Sequence, residues 1–299
     1  VTHIALRERL TVVLLTFNCA HRIDSVVQHL LALDVRVIAV DNASGDETVA
    51  VLRRFARVDV VELPRNIGAA GRNEGLRRAA TPYVAFCDDD GWWEPDGLAV
   101  ACDLMDEHPT LAVINARILV GADRYLDPIS MEMSESPLVD RVGVPGVPIL
   151  GFMAGAVVVR VAAFTQVGGY DIRYFMGGEE ETIAFPLAQA GWQLRYVPEV
   201  GAVHEPSQAN ASSLRAHALR NTIVNAWLHR RAGSALRWTA FQLADSPKNR
   251  DFARGLAMTV RALPWIVRER APVSRQLDSD IALLDARRFA GRRPFWNRG

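Results

Sequence analysis

The first ninety residues alternate short runs rich in Val, Ile and Leu with segments of helical periodicity, and this alternation constrains the fold more than any other feature. Leu10–Thr16 (LTVVLLT) and residues 35–40, 58–63 and 83–87 read as strands. Residues 23–33, 46–56 and 69–80 read as helices. Runs that are apolar throughout, rather than at every second position, are buried on both faces. The pattern therefore predicts an α/β chain with a mostly parallel sheet covered by helices. Each run ends in polar residues: Thr16-Phe17-Asn18, Asp41-Asn42, Arg65-Asn66-Ile67-Gly68 and Asp88-Asp89-Asp90. Open α/β sheets bind ligands at the carboxyl edge of their strands, so four successive strands are expected to furnish one site.

Beyond residue 95 the pattern predicts a helix over 96–107, a strand over 111–120 and an irregular stretch over 121–148. A strand over 152–159, a helix over 179–190 and one or two strands within 194–203 follow. From about residue 212 the reading is helical, with breaks at Pro247, Pro264 and Pro272. Residues 142–159 carry no charge, but Pro145, Pro148 and four glycines favour a loop leading into a buried strand over a membrane span.

The composition, 49% hydrophobic and 23% charged over 299 residues, is that of a globular chain and excludes disordered and low-complexity classes. The net charge is zero but unevenly placed. Residues 215–299 hold 17 basic against 6 acidic residues, leaving the preceding body acidic. An acidic body suits a cation site; a basic tail suits an anionic partner or a solvated arginine face. Three cysteines, with no CxxC pair, argue against a disulfide framework or a zinc ribbon. With no signal-peptide pattern in view, a cytoplasmic location is expected.

Four motifs carry potential chemistry. Three adjacent carboxylates at a strand end, Asp88-Asp89-Asp90, repel one another unless a cation sits among them. Hard divalent ions take such oxygen ligands together with substrate phosphates. The alternative is an acidic helix start, with Glu94 and Asp96 just downstream. In Gly177-Gly178-Glu179-Glu180-Glu181, two glycines free the backbone before three carboxylates, one of which could act as a general base or simply open a helix. His204 follows a strand and could complete a metal shell begun by carboxylates. The segment from Arg65 to Gly75 offers either an anion site at a helix start, with Arg65 and Arg72 as donors, or close helix–sheet packing through small residues. There is no GxGxxG, P-loop, HExxH, GxSxG or zinc spacing. The tail lacks the aromatic interleaving of a nucleic-acid groove, so no nucleic-acid partner is expected.

Taken in order, strand–Thr16-Phe17-Asn18, Asp41-Asn42, Arg65-Asn66-Ile67-Gly68, Asp88-Asp89-Asp90, Gly168-Gly169-Tyr170-Asp171 before Gly177-Gly178-Glu179-Glu180, and then His204, the residues resemble a family-2 glycosyltransferase. The resemblance covers about residues 10–210, and the segment from Gly168-Gly169-Tyr170-Asp171 through Gly191-Trp192 is especially similar to bacterial rhamnosyl- and galactofuranosyl-type transferases. It implies a GT-A α/β/α sandwich with a mixed, mostly parallel sheet over residues 1–210, and a basic helical region over 211–299. It further implies a nucleoside-diphosphate sugar of UDP or dTDP type as donor, and a glycan, lipid-linked or small-molecule acceptor. By position, Thr16, Asn18 and Asp41 would hold the nucleoside, and Arg65, Asn66 and Asn73 the ribose or diphosphate. Asp88 and Asp89 would line the donor, and Asp90 and His204 would bind Mg²⁺ or Mn²⁺. Glu180, with Glu179 beside it, falls where the family places its base, with Glu replacing the usual Asp.

The resemblance also implies inverting transfer. Ser234 stands where the QxxRW motif of processive synthases, here ending in Arg237-Trp238, would need Gln, so single addition is favoured. Two other readings stand beside it. A sugar-nucleotide nucleotidyltransferase would need a basic, glycine-rich first loop, which residues 16–19 do not supply. A catalytically silent sugar-nucleotide-binding protein would bind donor without transfer. A lid is expected over 205–213. Trp92 and Trp93 are expected to be either sugar platforms or core. Residues 252–270, mixing arginines with apolar residues, are expected either to lie on an anionic membrane surface or to pack on the catalytic domain or a second subunit.

Overall fold

The apolar runs assemble into one sheet of ten strands in the computed structural model, which describes residues 5–206 and 214–290. The strands are β1 (Leu10–Thr16), β2 (Arg36–Asp41), β3 (Val58–Glu62), β4 (Tyr83–Asp88), β5 (Gly91–Trp93), β6 (Leu111–Val120), β7 (Tyr125–Leu126), β8 (Val147–Pro148), β9 (Ala156–Arg160) and β10 (Gln193–His204). Their order is β3-β2-β1-β4-β9-β6-β10-β5, with β7 beside β6 and β8 beside β10. The helices are α1 (Leu6–Arg9), α2 (Ile23–Ala32), α3 (Thr48–Leu52), α4 (Arg72–Arg78), α5 (Gly97–Glu107), α6 (Pro128–Ser134), α7 (Val161–Gln166), α8 (Glu181–Gln189), α9 (Arg215–His229), α10 (Ala232–Asp245), α11 (Arg250–Glu269) and α12 (Arg275–Ala290).

Alternate residues of each central strand enter different cores, as the two-residue period of a strand requires. Val12, Leu14 and Ala85 pack with Ile23, Val26 and Leu30 of α2 and Leu98 and Cys102 of α5. Val13, Leu15, Val84 and Phe86 pack with Leu76 of α4, Phe164 of α7 and Ile183 and Leu187 of α8. Each such aliphatic side chain contributes about 1.5–3 kcal/mol on burial. At Gly75 a Cβ would collide with Val13, so α4 lies directly against β1. Cys19, Cys87 and Cys102 are free thiols within the cores.

Strand direction positions the site. β1, β2, β3 and β4 are mutually parallel. β9 runs antiparallel to both β4 and β6, and β10 is parallel to β6. The carboxyl ends of β1, β2, β4 and β10 therefore share one edge. The chain order reverses between β1 and β4, which opens the crevice where such sheets bind ligands.

Several expectations are corrected. Residues 121–148 are not uniformly irregular, because they hold β7, α6 and β8. Asp127 caps α6 by accepting from the Ile129 N–H at 2.7 Å, with Pro128 at the first helical position. Pro264 does not break its helix but sits within α11. Val260, whose carbonyl it leaves without a helical partner, is 63% exposed, so water can take that role. A break falls instead at Arg230–Arg231, between α9 and α10. The uncharged stretch 142–159 contains β8 and most of β9, and among the described residues no helix is long and apolar enough to cross a membrane. The expected boundary near residue 210 and residues 207–213 of the expected lid lie outside the described residues.

Candidate active site

At the carboxyl edge, the first two strands form a buried polar cluster. Asp41 accepts from the Ser44 N–H at 2.8 Å, from Ser44 Oγ at 2.5 Å and from Thr16 Oγ1 at 3.2 Å. Asn18, at φ 51°, accepts from the Gly45 N–H at 2.8 Å, and its own N–H donates to Ser44 Oγ at 2.9 Å. Asn42 ties this cluster to the next loop by donating to Gly68 O and accepting from the Ile67 N–H. Arg65 is exposed, and Asn66 closes its own turn by accepting from the Gly68 N–H. Both ends of the Asn73 amide engage the Tyr170 backbone, which makes Asn73 a strut between α4 and the loop after α7.

The acidic triplet fans out in three directions. Asp88 pairs with Arg72, which is only 3% exposed. Asp89 turns back towards β1, accepting from the Phe17 N–H at 3.1 Å and pairing with Arg22. Burial is the main cause that raises its carboxyl above the usual range. Asp90 faces His204, with Oδ1 3.5 Å from Nε2. Strand register produces this meeting, because β5 runs antiparallel to β10 with Gly91 opposite His204, and the Glu205 N–H donates to Asp90 O at 2.7 Å. Burial opposes protonation of His204. The carboxylates of Asp90, Asp88 and Asp127 outweigh it and hold the imidazole above its usual value.

The donor set suits a divalent cation. Asp90 and His204 offer one oxygen and one nitrogen, and among the described residues no cluster of three metal-ligating side chains exists. A hard cation here would complete its shell with water and substrate phosphates, the usual arrangement for Mg²⁺.

The second acidic loop approaches from the other side of Arg72. Gly177 and Gly178 adopt φ of 89° and 80°, which lets the chain turn sharply into α8. Glu179 is 3% exposed, and burial pushes its carboxyl up to about 7 against the opposing charge of Arg72. Burial, then the charge of Glu179, raises Glu180 well above the usual range. Glu181 lies 3.8 Å from Arg230 and 3.5 Å from Arg288, so its charge is already matched. The helix begins two residues later than expected, at Glu181, and Glu180 is its capping residue. Arg72 Nε and Nη1, Tyr170 OH and Glu179 Oε2 are buried without hydrogen-bond partners among the described residues. Leaving such atoms unpaired costs about 1–3 kcal/mol each.

The model of the family described as glycosyl transferase family 2 matches residues 11–168, more than half of the chain. The chain belongs to glycosyl transferase family 2. The matched residues include the Thr16–Asn18–Asp41 cluster and the acidic triplet; Glu180 and His204 lie beyond them. The chain is 32% identical over 212 residues to the pre-mycofactocin glycosyltransferase of Mycobacterium tuberculosis, which covers 65% of this chain but only 42% of that protein. It is 27% identical over 247 residues to the N-acetylglucosaminyl-diphospho-decaprenol L-rhamnosyltransferase of the same organism, covering 69% of this chain and 79% of that one. In fold it is similar to the mannosyltransferase PcManGT from Pyrobaculum calidifontis, solved in complex with GDP-Man and Mn²⁺. The TM-score is 0.56 at 21% identity, over 97% of this chain and 88% of that one. The architecture is the GT-A fold, with a helical C-terminal segment.

In this family-2 chain, the residues that hold the second acidic loop come from α9, where the sequence carried no signal beyond two asparagines four apart. Asn221, fully buried, donates to Tyr174 O, Met176 O and Gly177 O at 3.0, 3.3 and 2.7 Å; Asn225 donates to Gly178 O at 2.7 Å. Asn221→Ala should therefore displace the Glu179–Glu181 loop and lower kcat by on the order of 10²-fold, while nucleotide affinity stays unchanged. Steady-state kinetics beside calorimetric nucleotide binding checks this split; equal losses in both would mean general unfolding. Trp93 is 1% exposed and belongs to the core, and Trp92 stacks on His29 at 4.3 Å. Burial thus takes Trp93 away from the role of sugar platform.

Proposed function

We propose that this chain is a non-processive, inverting glycosyltransferase that moves a sugar from a nucleoside diphosphate of UDP or dTDP type to an acceptor hydroxyl. The observation that carries the reading is the convergence of an Asp90–His204 pair at the sheet edge and a half-buried, protonatable Glu180 at the start of α8, with Arg72 between the two acidic loops. Thr16, Asn18 and Asp41 hold the nucleoside, and Arg65 lies along the diphosphate. Glu180 takes the proton of the acceptor hydroxyl as its oxygen bonds to the anomeric carbon and the bond from that carbon to the diphosphate oxygen breaks. A divalent cation, Mg²⁺ or Mn²⁺, when bound by Asp90 and His204 supplies positive charge to the leaving diphosphate. Arg72 keeps Asp88 in place and limits repulsion between the two acidic loops.

Asp90→Ala and His204→Ala should each abolish the metal dependence of nucleotide binding and lower turnover with it. Release of nucleoside diphosphate from a panel of sugar nucleotides, with Mn²⁺ and with chelator, checks this. Metal-dependent turnover retained by both variants would remove these two ligands from the account. Donor binding without transfer to any acceptor would favour the silent binding protein. The nucleotidyltransferase reading is disfavoured by family membership and by a first loop, residues 16–19, without a basic residue.

The outer face of α11 supports a peripheral contact with an anionic membrane. Gly255, Ala262 and Ile266 are buried, whereas Val260, Leu263 and Val267 are 63, 49 and 80% exposed. Arg254, Arg261 and Arg268, spaced by seven, are exposed beside them. An apolar stripe flanked by arginines is the pattern that binds anionic interfaces. Val267→Asp should weaken sedimentation with anionic vesicles at low salt, and wild-type protein should not sediment with neutral vesicles. Equal sedimentation with both kinds would remove the charge argument and favour protein packing.

A further inference from the structure

Glu180 lines a cavity of about 110 Å³ that lies between the catalytic sheet and the C-terminal helices. Most of its wall is apolar, with Met133 of α6, Leu150 and Phe152 from the approach to β9, Phe185 of α8, Trp238 of α10 and Leu284 of α12. One short loop joins it to the donor side. Gly151, Phe152 and Met153 line the cavity, and Gly155 lies so close to the Asp88 carboxylate that a Cβ there would collide with it.

The charged groups of the cavity are unbalanced. Glu132, Glu180, Glu181 and Asp285 face only Arg230 and Arg288. Both guanidiniums are already engaged: Arg230 binds Asp285 at 2.5 Å, and Arg288 lies 3.2 Å from Glu132 and 3.5 Å from Glu181. Trp238, 1% exposed, has an indole N–H without a partner among the described residues.

We infer that this cavity receives the apolar substituent of a neutral acceptor whose hydroxyl reaches Glu180. The inference rests on the transferase reading above and deepens it. An engineered cavity of about 150 Å³ admits benzene, so this one accommodates roughly one small ring or a branched five-carbon unit. The excess of carboxylates and the prior engagement of both arginines disfavour a phosphate- or diphosphate-bearing group at this wall. The unpaired indole N–H of Trp238 offers a hydrogen bond to a neutral oxygen, such as a glycosidic one. Pockets that are mostly apolar with a few polar groups fix orientation in this way. An alkyl lipid glycoside and an aryl glycoside present the same chemistry.

Ligand-observed NMR titration of the full chain tests the assignment. The probes are hexyl, phenyl and methyl β-D-glucopyranoside and hexyl phosphate, each with and without UDP or dTDP and Mn²⁺. The expected result is that the hexyl or phenyl glucoside binds about tenfold or more tightly than either the methyl glucoside or hexyl phosphate. A preference for hexyl marks a lipid-like source, and a preference for phenyl an aromatic one. Gly151→Leu, at a position where a Cβ meets nothing within 4 Å, should erase the preference without altering nucleotide binding. Leu284→Trp should do the same from the α12 side. Equal binding of the methyl and hexyl glucosides, tightest binding of hexyl phosphate, or survival of the preference in both filled variants would overturn the inference. Loss of nucleotide binding by wild-type protein with the probe preference intact would overturn the transferase reading alone and support the cavity as an apolar-ligand site.

Discussion

Glu180→Gln should lower turnover by about 10²–10⁴-fold, the usual contribution of a positioned general base, with nucleotide affinity unchanged. Of the three adjacent carboxylates, Glu181 is matched by Arg230 and Arg288, and Glu179 is buried beside Arg72 and Asp88. Glu180 lines the cavity proposed for the acceptor. The groups that set its titration are Glu179 and Glu181, which raise it, and Arg72, which lowers it, with burial the largest cause. A base works deprotonated, so turnover should be low in acid and rise with pH as Glu180, held well above the usual carboxylate range by burial and by Glu179, loses its proton. Glu179→Gln removes a neighbouring negative charge and should move the profile towards acid. Stability runs in the opposite sense. Glu179, raised to about 7, binds more protons folded than unfolded between about 4.5 and 7, so its contribution is full below that window and lost as pH rises through it; Glu180, raised in the same direction, adds to the trend. Melting temperature against pH should therefore fall less steeply in Glu180→Gln than in the wild type. Full activity in that variant would place the base elsewhere.

Arg72→Met should destabilise the chain and inactivate it together. Arg72 is nearly inaccessible, pairs with Asp88, stands 5.6 Å from the Tyr170 ring centroid and opposes the charge of Glu179. Removing one member of a buried ion pair typically costs about 3–5 kcal/mol, because the remaining charges stay behind without compensation. The Asp88 side chain is 42% exposed, so water relieves part of this and the lower end, about 3 kcal/mol, is expected. For a chain of this size that corresponds to a fall in Tm of roughly 5 °C. The loss should shrink in mild acid, where Glu179 and Glu180 take up protons, and Arg72→Lys should restore stability in part. Thermal denaturation at two pH values checks both; an unchanged Tm would show that Arg72 does not hold the acidic loops together.

The central sheet was legible because its strands are written in Val, Ile and Leu and punctuated by polar residues. Leu10–Thr16 and Leu111–Val120 have the bounds their composition predicts, and the edge at Thr16, Asp41 and Asp88 follows from their shared direction. The insertion of β9 between β4 and β6 was not legible, since nothing in AVVVR states which neighbours it will have. β5 was missed because Gly91–Trp93 is three residues long, yet its register with His204 creates the Asp90–His204 pair. Asn73 reads as a ligand-facing amide in a helix-start motif; only the structure shows both its ends engaged by Tyr170. Asn221 and Asn225 left no trace for a different reason. Their function is to bind main-chain carbonyls about 47 residues earlier in the chain, and contact at such separation has no local pattern. Pro264 misled because a proline within a helix is a cost rather than a prohibition, and packing of Ala262 and Ile266 on the helix's buried face holds α11 together across it.

The central claim is a metal-dependent nucleotide site built on Asp90 and His204. Calorimetric titration of UDP, dTDP, GDP and ADP into wild-type protein and Asp90→Ala, with Mn²⁺ and with chelator, tests it most directly. The account predicts that one uridine or thymidine diphosphate binds the wild type, that chelator sharply weakens binding, and that Asp90→Ala binds weakly whether or not metal is present. No binding across the panel, or binding that neither chelator nor Asp90→Ala alters, would contradict it.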